Sequence, residues 1–379
     1  AQEHDEHGDA VNIALLLEMA TSLDPDRAAI ESGDESLTTG ELSRLARAGA
    51  RQLEGRSAVV YVAEHGPPFA VALFAAAMAG VPLVPLNYRL GAGQLHDQLA
   101  PLGDVVVVAE GEAAAALAAR GHRVVGAAEL VATARAGGPV GEVPADGEGP
   151  AVLLYTSGTT AAPKAAVLRH RHLSSYVIGT VEFGAAGPDE AALVSVPPYH
   201  VAGLANLLSN LYLGRRIVYL AQFDASAWVG AVRRERVTNA MVVPTMLARI
   251  CEVLEADGAG LPSLRALSYG GARTPVTVLQ RVMALLPDML LDITLALSDE
   301  AHQYDWAYHS RGEFATPPAL AEPAQPPGEG PWRWAEQVRT AGSVDGWQAS
   351  WAVDDELTVR AAQATSAPVE LLTGIGRGN

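Results

Sequence analysis

A chain of 379 residues that is 49% hydrophobic can bury one large core or two ordinary ones, which excludes disorder as its main state. Its net charge of −17, with lysines and arginines scattered along the chain, repels a phosphate backbone and excludes nucleic acid as the expected partner. A single cysteine excludes an internal disulfide and suits a reducing, cytoplasmic setting.

The N-terminal stretch AQEHDEHGD is acidic and lacks the basic and apolar regions of a secretion signal. The most apolar stretches all break at Pro, Gly or charge before about 18 residues, so no membrane span is predicted. From residue 11 onward, short apolar runs alternate with longer helical patterns. AVVYVA (58–63) and VVVVA (105–109) read as strands buried on both faces, and PPFAVALFAAAMAG (67–80) and EGEAAAALAARG (110–121) as helices crossing over between them. The fold class is therefore α/β, with a first α/β subdomain over 11–131. Residues 132–150, rich in Gly, Pro and Ala without periodicity, read as a linker. A second α/β subdomain follows over 151–314, with strands AVLLY, RRIVYL, NAMVVPTM and SLRALSYGG and helices ASAWVGAVRRERV and TPVTVLQRVMALL. Cys251, in the apolar run TMLARICEVL, reads as a buried, inert thiol. Residues 315–331 form a Pro-rich linker, and the apolar/polar alternation after it predicts a small antiparallel β unit over 332–379.

The stretch Tyr155-Thr156-Ser157-Gly158-Thr159-Thr160-Ala161-Ala162-Pro163-Lys164 follows a predicted strand and precedes a predicted helix. Such a loop offers backbone N–H groups, hydroxyls and one cation to phosphate oxygens, although the GxxxxGK[ST] spacing of a Walker loop is absent. The cluster Arg169, His170, Arg171, His172 falls on that predicted helix, fans round it, and reads as a solvated face.

Four ordered motifs carry a resemblance. The loop 155–164 resembles the signature of the adenylate-forming superfamily (acyl-CoA synthetases, nonribosomal-peptide adenylation domains and luciferases), written Tyr/Phe-Thr-Ser-Gly-Thr-Thr-Gly-x-Pro-Lys-Gly. Asn87-Tyr88-Arg89-Leu90 is similar to the family's Asn-x-Arg-Leu segment. Pro197-Pro198-Tyr199-His200-Val201-Ala202-Gly203 resembles Pro-Leu-Phe-His-x-x-Gly, and Tyr269-Gly270-Gly271-Ala272 the Gly-Gly-Ala turn. The resemblance covers residues 11 to about 300. It implies the family's N-terminal domain: two α/β subdomains with layered sheets plus a small distorted β-barrel. Asn379 falls near the point where the family's mobile C-terminal domain would begin, so that domain is expected to be absent.

By this resemblance ATP and Mg²⁺ turn a carboxylic acid into an acyl-adenylate, and the acyl group passes to CoA or an acyl/peptidyl carrier protein. The nucleotide would be held by Thr156, Ser157, Gly158, Thr159, Thr160, Lys164, Gly270, Gly271, Ala272 and Leu295. Catalytic positions would be Lys164, His200, Ser298 and Asp299, and Asp299 or Glu300 would ligate the metal. The substrate pocket would be lined by Tyr199, His200, Gly203, Asn206, Leu207, Tyr269 and Gly271. Few charges lie there, which favours an apolar acid or acyl thioester over an amino acid. A homodimer is carried as an open expectation.

The sequence departs from the family pattern at several points. Ala161 and Ala165 stand where the family has glycine, each costing about 1 kcal/mol if its position needs a positive φ. Leu295 stands where a Tyr stacks on adenine, and Ile375 where an Asp holds the ribose hydroxyls. These losses sit on the nucleotide side. They motivate an alternative: a repurposed or ATP-independent acyl-handling enzyme, catalysing condensation, amide formation or cyclisation, or a non-catalytic homologue.

Overall fold

The computed structural model describes residues 11–135, 147–156, 164–271, 274–287, 290–293, 313–315, 322–323, 335–352 and 358–376. The chain divides into two units, Ala1–Met289 and Leu290–Asn379.

The first unit is an α/β structure with two sheets. In one, the strands run in the order Arg123–Val125, Val105–Ala109, Ala58–Val62, Leu83–Pro85, Pro150–Thr156, Lys164–Arg169. All pairs are parallel except the last, which is an antiparallel hairpin. In the other, six strands of this unit run Ala266–Tyr269, Asn239–Val242, Ala191–Val194, Arg216–Tyr219, Ala28–Ser32, Glu35–Thr38. The continuous Val-rich runs are buried on both faces, as parallel strands covered by helices must be. Along Ala58–Val62, Val59 and Tyr61 point into one core, whereas Ala58, Val60 and Val62 point into another.

The larger core joins residues of both sheets, such as Ile30 and Ile217 of one and Val108 and Val152 of the other, through helices Ala14–Leu23, Thr39–Ala50, Pro67–Ala79 and Val201–Leu213. Pro67–Ala79 is apolar on every face and almost entirely buried, the pattern expected of a helix enclosed between layers. Pro67 opens it where no N–H is needed, and Gly80 ends it at φ +69°, donating to Ala76 O. Thr39–Ala50 starts from a reciprocal cap in which Thr38 Oγ accepts from Glu41 N at 3.1 Å and Glu41 Oε2 accepts from Thr38 N at 2.9 Å. Cys251 is buried in helix Pro244–Asp257, and burial raises its thiol above the ordinary range, which keeps it un-ionised.

The sheets cut across the division expected at 132–150. Ala28–Ser32 and Glu35–Thr38, early in the chain, join the sheet built from residues beyond 190, and Pro150–Thr156 and Lys164–Arg169 join the sheet built from residues 58–125. Helix Ala127–Arg135 also enters the expected linker, and a strand begins at Pro150. A further difference follows the Ser/Thr/Gly loop. Residues 164–169 form a strand paired with Pro150–Thr156, and the helix starts only at His170. The ladder partner outweighs the modest helix preference of Lys-Ala-Ala-Val-Leu-Arg.

In the second unit, Ala335–Ala352 pairs antiparallel with Thr358–Gly376, Glu313–Ala315 and Glu322–Pro323. The last two of these strands lie at and within the Pro-rich segment expected to be a linker.

Candidate active site

Two motifs found in the sequence meet in space. Ser195 to His200 form the turn between strand Ala191–Val194 and helix Val201–Leu213. His200 is the N-cap residue; its N–H donates to Pro197 O at 3.1 Å, and Gly203 N donates to His200 O at 3.0 Å. From the other sheet, Asn87-Tyr88-Arg89-Leu90 follows strand Leu83–Pro85 and folds into a turn closed by Arg89 N donating to Asn87 Oδ1 at 3.0 Å. Tyr88 packs edge-on against Tyr199 at 5.7 Å, Tyr199 lies 4.7 Å from the His200 ring, and the Arg89 guanidinium sits 5.7 Å from the Tyr88 ring centre. Burial raises both phenols above their ordinary range, so they stay protonated donors at neutral pH. The His200 side chain is exposed on one side, yet the protein around it lowers the imidazole below its usual value and keeps it neutral near pH 7.

A pocket of about 200 Å³ opens beside these aromatic groups, lined by Tyr88, Arg89, Ser195, Pro197, Ala221, Phe223, Thr245, Met246 and Arg249. Ser195 is 3% exposed, and its buried hydroxyl has no protein partner. Arg249 lies over Phe223 at 5.9 Å and, with Arg89, puts two exposed guanidinium groups at the pocket. Ser195, Phe223, Thr245, Met246 and Arg249 carry no signature spacing in the sequence.

The other expected pocket residues divide. Gly203 is buried, and a Cβ there would stand 2.8 Å from Pro197 O and 3.0 Å from His65 Nε2, so this position needs glycine for close approach. Tyr269 is buried at a strand end, and Gly270 N donates to Val242 O at 3.3 Å. Gly271 follows at φ +85°, where a side chain would be strained. Asn206 donates to Ala202 O at 2.8 Å and to Met241 Sδ, so its amide is engaged within the fold. Leu207 is fully buried in the central core and contributes packing there.

On the nucleotide side, Thr156 and Lys164 face each other as the last pair of the hairpin. Ala165 pairs with Tyr155 in extended conformation, so no positive φ is required there and the strain expected at this alanine does not arise. Ser157, Gly158, Thr159, Thr160 and Ala161 lie outside the described residues, as do Ala272, Leu295, Ser298, Asp299 and Glu300. Ile375 lies opposite Glu336 in the second unit's long strand pair. Among the described residues no group of three or more His, Cys, Asp or Glu side chains is placed to hold a metal ion. None of their helices is long and apolar enough to cross a membrane. The Arg169–His172 cluster is not uniformly solvated. His170 is 2% exposed, with Nδ1 accepting from Ile13 N at 3.4 Å, while Arg171 pairs with Glu148 at 3.1 Å.

Residues 17–294 match the family described as AMP-binding enzyme. The chain is 34% identical to a feruloyl-CoA synthase of Amycolatopsis over 270 residues, covering 69% of this chain and 54% of that protein. It is 29% identical over 261 residues to the fatty acid–[acyl-carrier-protein] ligase ScoC of Streptomyces coeruleorubidus, covering 65% of this chain and 50% of that one. It therefore spans about half the length of the curated relatives it matches. In fold it is similar to the inhibitor-bound N-terminal domain of FACL13 from Mycobacterium tuberculosis, with TM-score 0.68, 24% identity and 76% of each chain covered. O-succinylbenzoate CoA synthetase from Bacillus subtilis, solved with AMP, gives TM-score 0.61 at 22% identity, covering 73% of this chain and 57% of that one. With the match running through the motifs at 87–90, 155–164, 197–203 and 269–272, the chain belongs to the AMP-binding enzyme family.

Proposed function

We propose that this chain is the nucleotide- and acyl-binding part of an acid–thiol ligase that activates an apolar, aromatic carboxylic acid as its acyl-adenylate and passes it to CoA or a carrier-protein thiol. The observation that carries this reading is the meeting of Tyr88 and Arg89 with Tyr199 and His200 beside a pocket that also holds the unpaired Ser195 hydroxyl. Three similar proteins are named for aromatic acids: feruloyl-CoA synthase, indoleacetate–CoA ligase and 4-coumarate–CoA ligase 1. No Asp or Glu lies between residues 199 and 213 to meet a substrate ammonium, which favours an acid without one.

The chemistry brings two anions together, so the site must offset charge on the α-phosphate as the carboxylate attacks. Enzymes of this family use ATP and Mg²⁺ generally. Here Lys164, the hydroxyls of Thr156, Ser157, Thr159 and Thr160, and the Gly270–Gly271 turn would hold the nucleotide, with Asp299 or Glu300 on the metal. Arg89 and Arg249 stand out in a chain of net charge −17, and the phosphates of CoA or of a phosphopantetheine arm fit these two guanidinium groups.

Acid-dependent exchange of labelled pyrophosphate into ATP tests the proposal, with ferulate, 4-coumarate, indoleacetate and a fatty acid as the panel. Exchange above background with an aromatic acid is expected, and silence across the panel from folded protein with Mg²⁺ overturns it. Leu295 and Ile375 favour a second reading: the same pocket takes an already activated acyl thioester and no adenylate is made. Silence in exchange together with saturable binding of an acyl thioester would select it.

A further inference from the structure

His65 occupies the turn between strand Ala58–Val62 and helix Pro67–Ala79, on the sheet opposite the one that carries the Ser195–His200 turn. It is 5% exposed. Its ring stacks on Tyr219 at 4.9 Å and 13°, and meets Phe69 edge-on at 5.3 Å and 87°, which fixes its plane. Nε2 faces the carbonyl oxygen of Val196. A carbonyl only accepts, so Nε2 carries the hydrogen and Nδ1 is the bare nitrogen, buried and without a protein partner. Helix Val201–Leu213 makes room for this arrangement at Gly203, where a Cβ would lie 3.0 Å from Nε2.

A phenyl ring would fill the same aromatic slot without leaving a buried nitrogen unpaired. What the imidazole adds is one directed N–H, aimed at the backbone between Ser195, in the pocket wall, and Tyr199–His200. We infer that His65 is a positioning residue for the acyl pocket: its N–H ties the Ser195–His200 turn to the neighbouring sheet and sets where Ser195, Tyr199 and His200 stand. This rests on the acyl-pocket reading above. Catalytic geometry is sensitive on this scale, since a misplacement of about 1 Å costs on the order of 100-fold in rate.

The test compares the parent with His65→Phe, which keeps a ring and removes the donor, and His65→Gln, whose amide N–H reaches the position of Nε2. With ferulate as the acid, His65→Phe is expected to lower kcat/KM for the acid by about tenfold or more, consistent with lost positioning, while KM for ATP stays unchanged. His65→Gln is expected to restore most of the loss. A role in stability alone would lower the folded fraction and move all substrates together, and that outcome overturns the inference. Amide hydrogen exchange decides the matter without turnover. Exchange at the His200 and Gly203 amides is expected to accelerate in His65→Phe and to recover in His65→Gln, with helix Gly111–Ala118, which packs beside the edge strand Arg123–Val125 of the other sheet, unchanged. Equal protection in all three proteins overturns the inference, whereas local acceleration in a protein silent in pyrophosphate exchange upholds it and removes the ligase reading instead.

Discussion

The turn Ser195–His200 and the paired strands Pro150–Thr156 and Lys164–Arg169 both carry motif residues that stand out in the sequence, yet the fold holds them by different means. The turn is fixed by side chains: His65 beneath it, Gly203 pressed against Pro197 O, and Tyr88 packed edge-on against Tyr199 from the other sheet. The hairpin is fixed by backbone pairing, with Thr156 opposite Lys164 and Tyr155 opposite Ala165. Packing is intolerant of changes in volume and charge, whereas a ladder accepts most side chains that leave its N–H and C=O groups in place. Mutations and pH should therefore act strongly on the first region and weakly on the second.

The largest expected effect is on pH-dependent stability. Burial lowers the His65 imidazole from an ordinary value near 6.5 to about 4. Above about pH 6.5 both folded and unfolded states are neutral and the full stability is present. As pH falls from there toward 4, the unfolded state takes up a proton that the folded state resists, and about 3 kcal/mol is lost. Urea unfolding of the parent and His65→Gln between pH 7 and 4 should show their stability difference shifting by that amount in favour of the variant; parallel curves would refute it. Next comes Gly203→Ala, which drives a Cβ to 2.8 Å from Pro197 O and is expected to cost about 2 to 3 kcal/mol. The contrasting change is Gly230→Ala, in helix Ala225–Arg234 with nothing within 4 Å, which should stabilise by about 0.5 to 1 kcal/mol.

Legibility in the sequence follows the same physical line. The strands Ala58–Val62 and Val105–Ala109 and the helix Pro67–Ala79 were readable because their burial is written into continuous apolar runs. That Ile30 pairs with Ile217 was not, because nothing local marks a partner nearly two hundred residues away. His65, in the polar-looking EHGPP, acquires its role only from Tyr219 and Val196, which come from the opposite sheet. The motif residues Tyr199 and His200 were found by resemblance and do adjoin the pocket wall at Pro197, whereas Leu207, one helical turn beyond Gly203, turns into the core. Arg249 looks like any exposed helix residue until Phe223 is brought beneath it.

Arg249 supplies a smaller effect. Replacing it with Ala should raise KM for CoA by about tenfold, because one charge-assisted contact to phosphate is lost. KM for ATP should not move, and a change shared by CoA and ATP would show that the residue acts through stability. The smallest effect is expected in the hairpin. Ala165 stands where the family's loop pattern is written with glycine, and local reasoning would make Ala165→Gly a repair. In extended conformation opposite Tyr155 the alanine is unstrained, so the glycine brings only greater freedom to the unfolded chain and costs about 0.5 kcal/mol. ATP affinity should not improve. Isothermal titration of both proteins with ATP and Mg²⁺ measures this directly, and a tighter complex in Ala165→Gly would mean that nucleotide binding draws residue 165 out of the ladder, making the hairpin the more adaptable of the two regions.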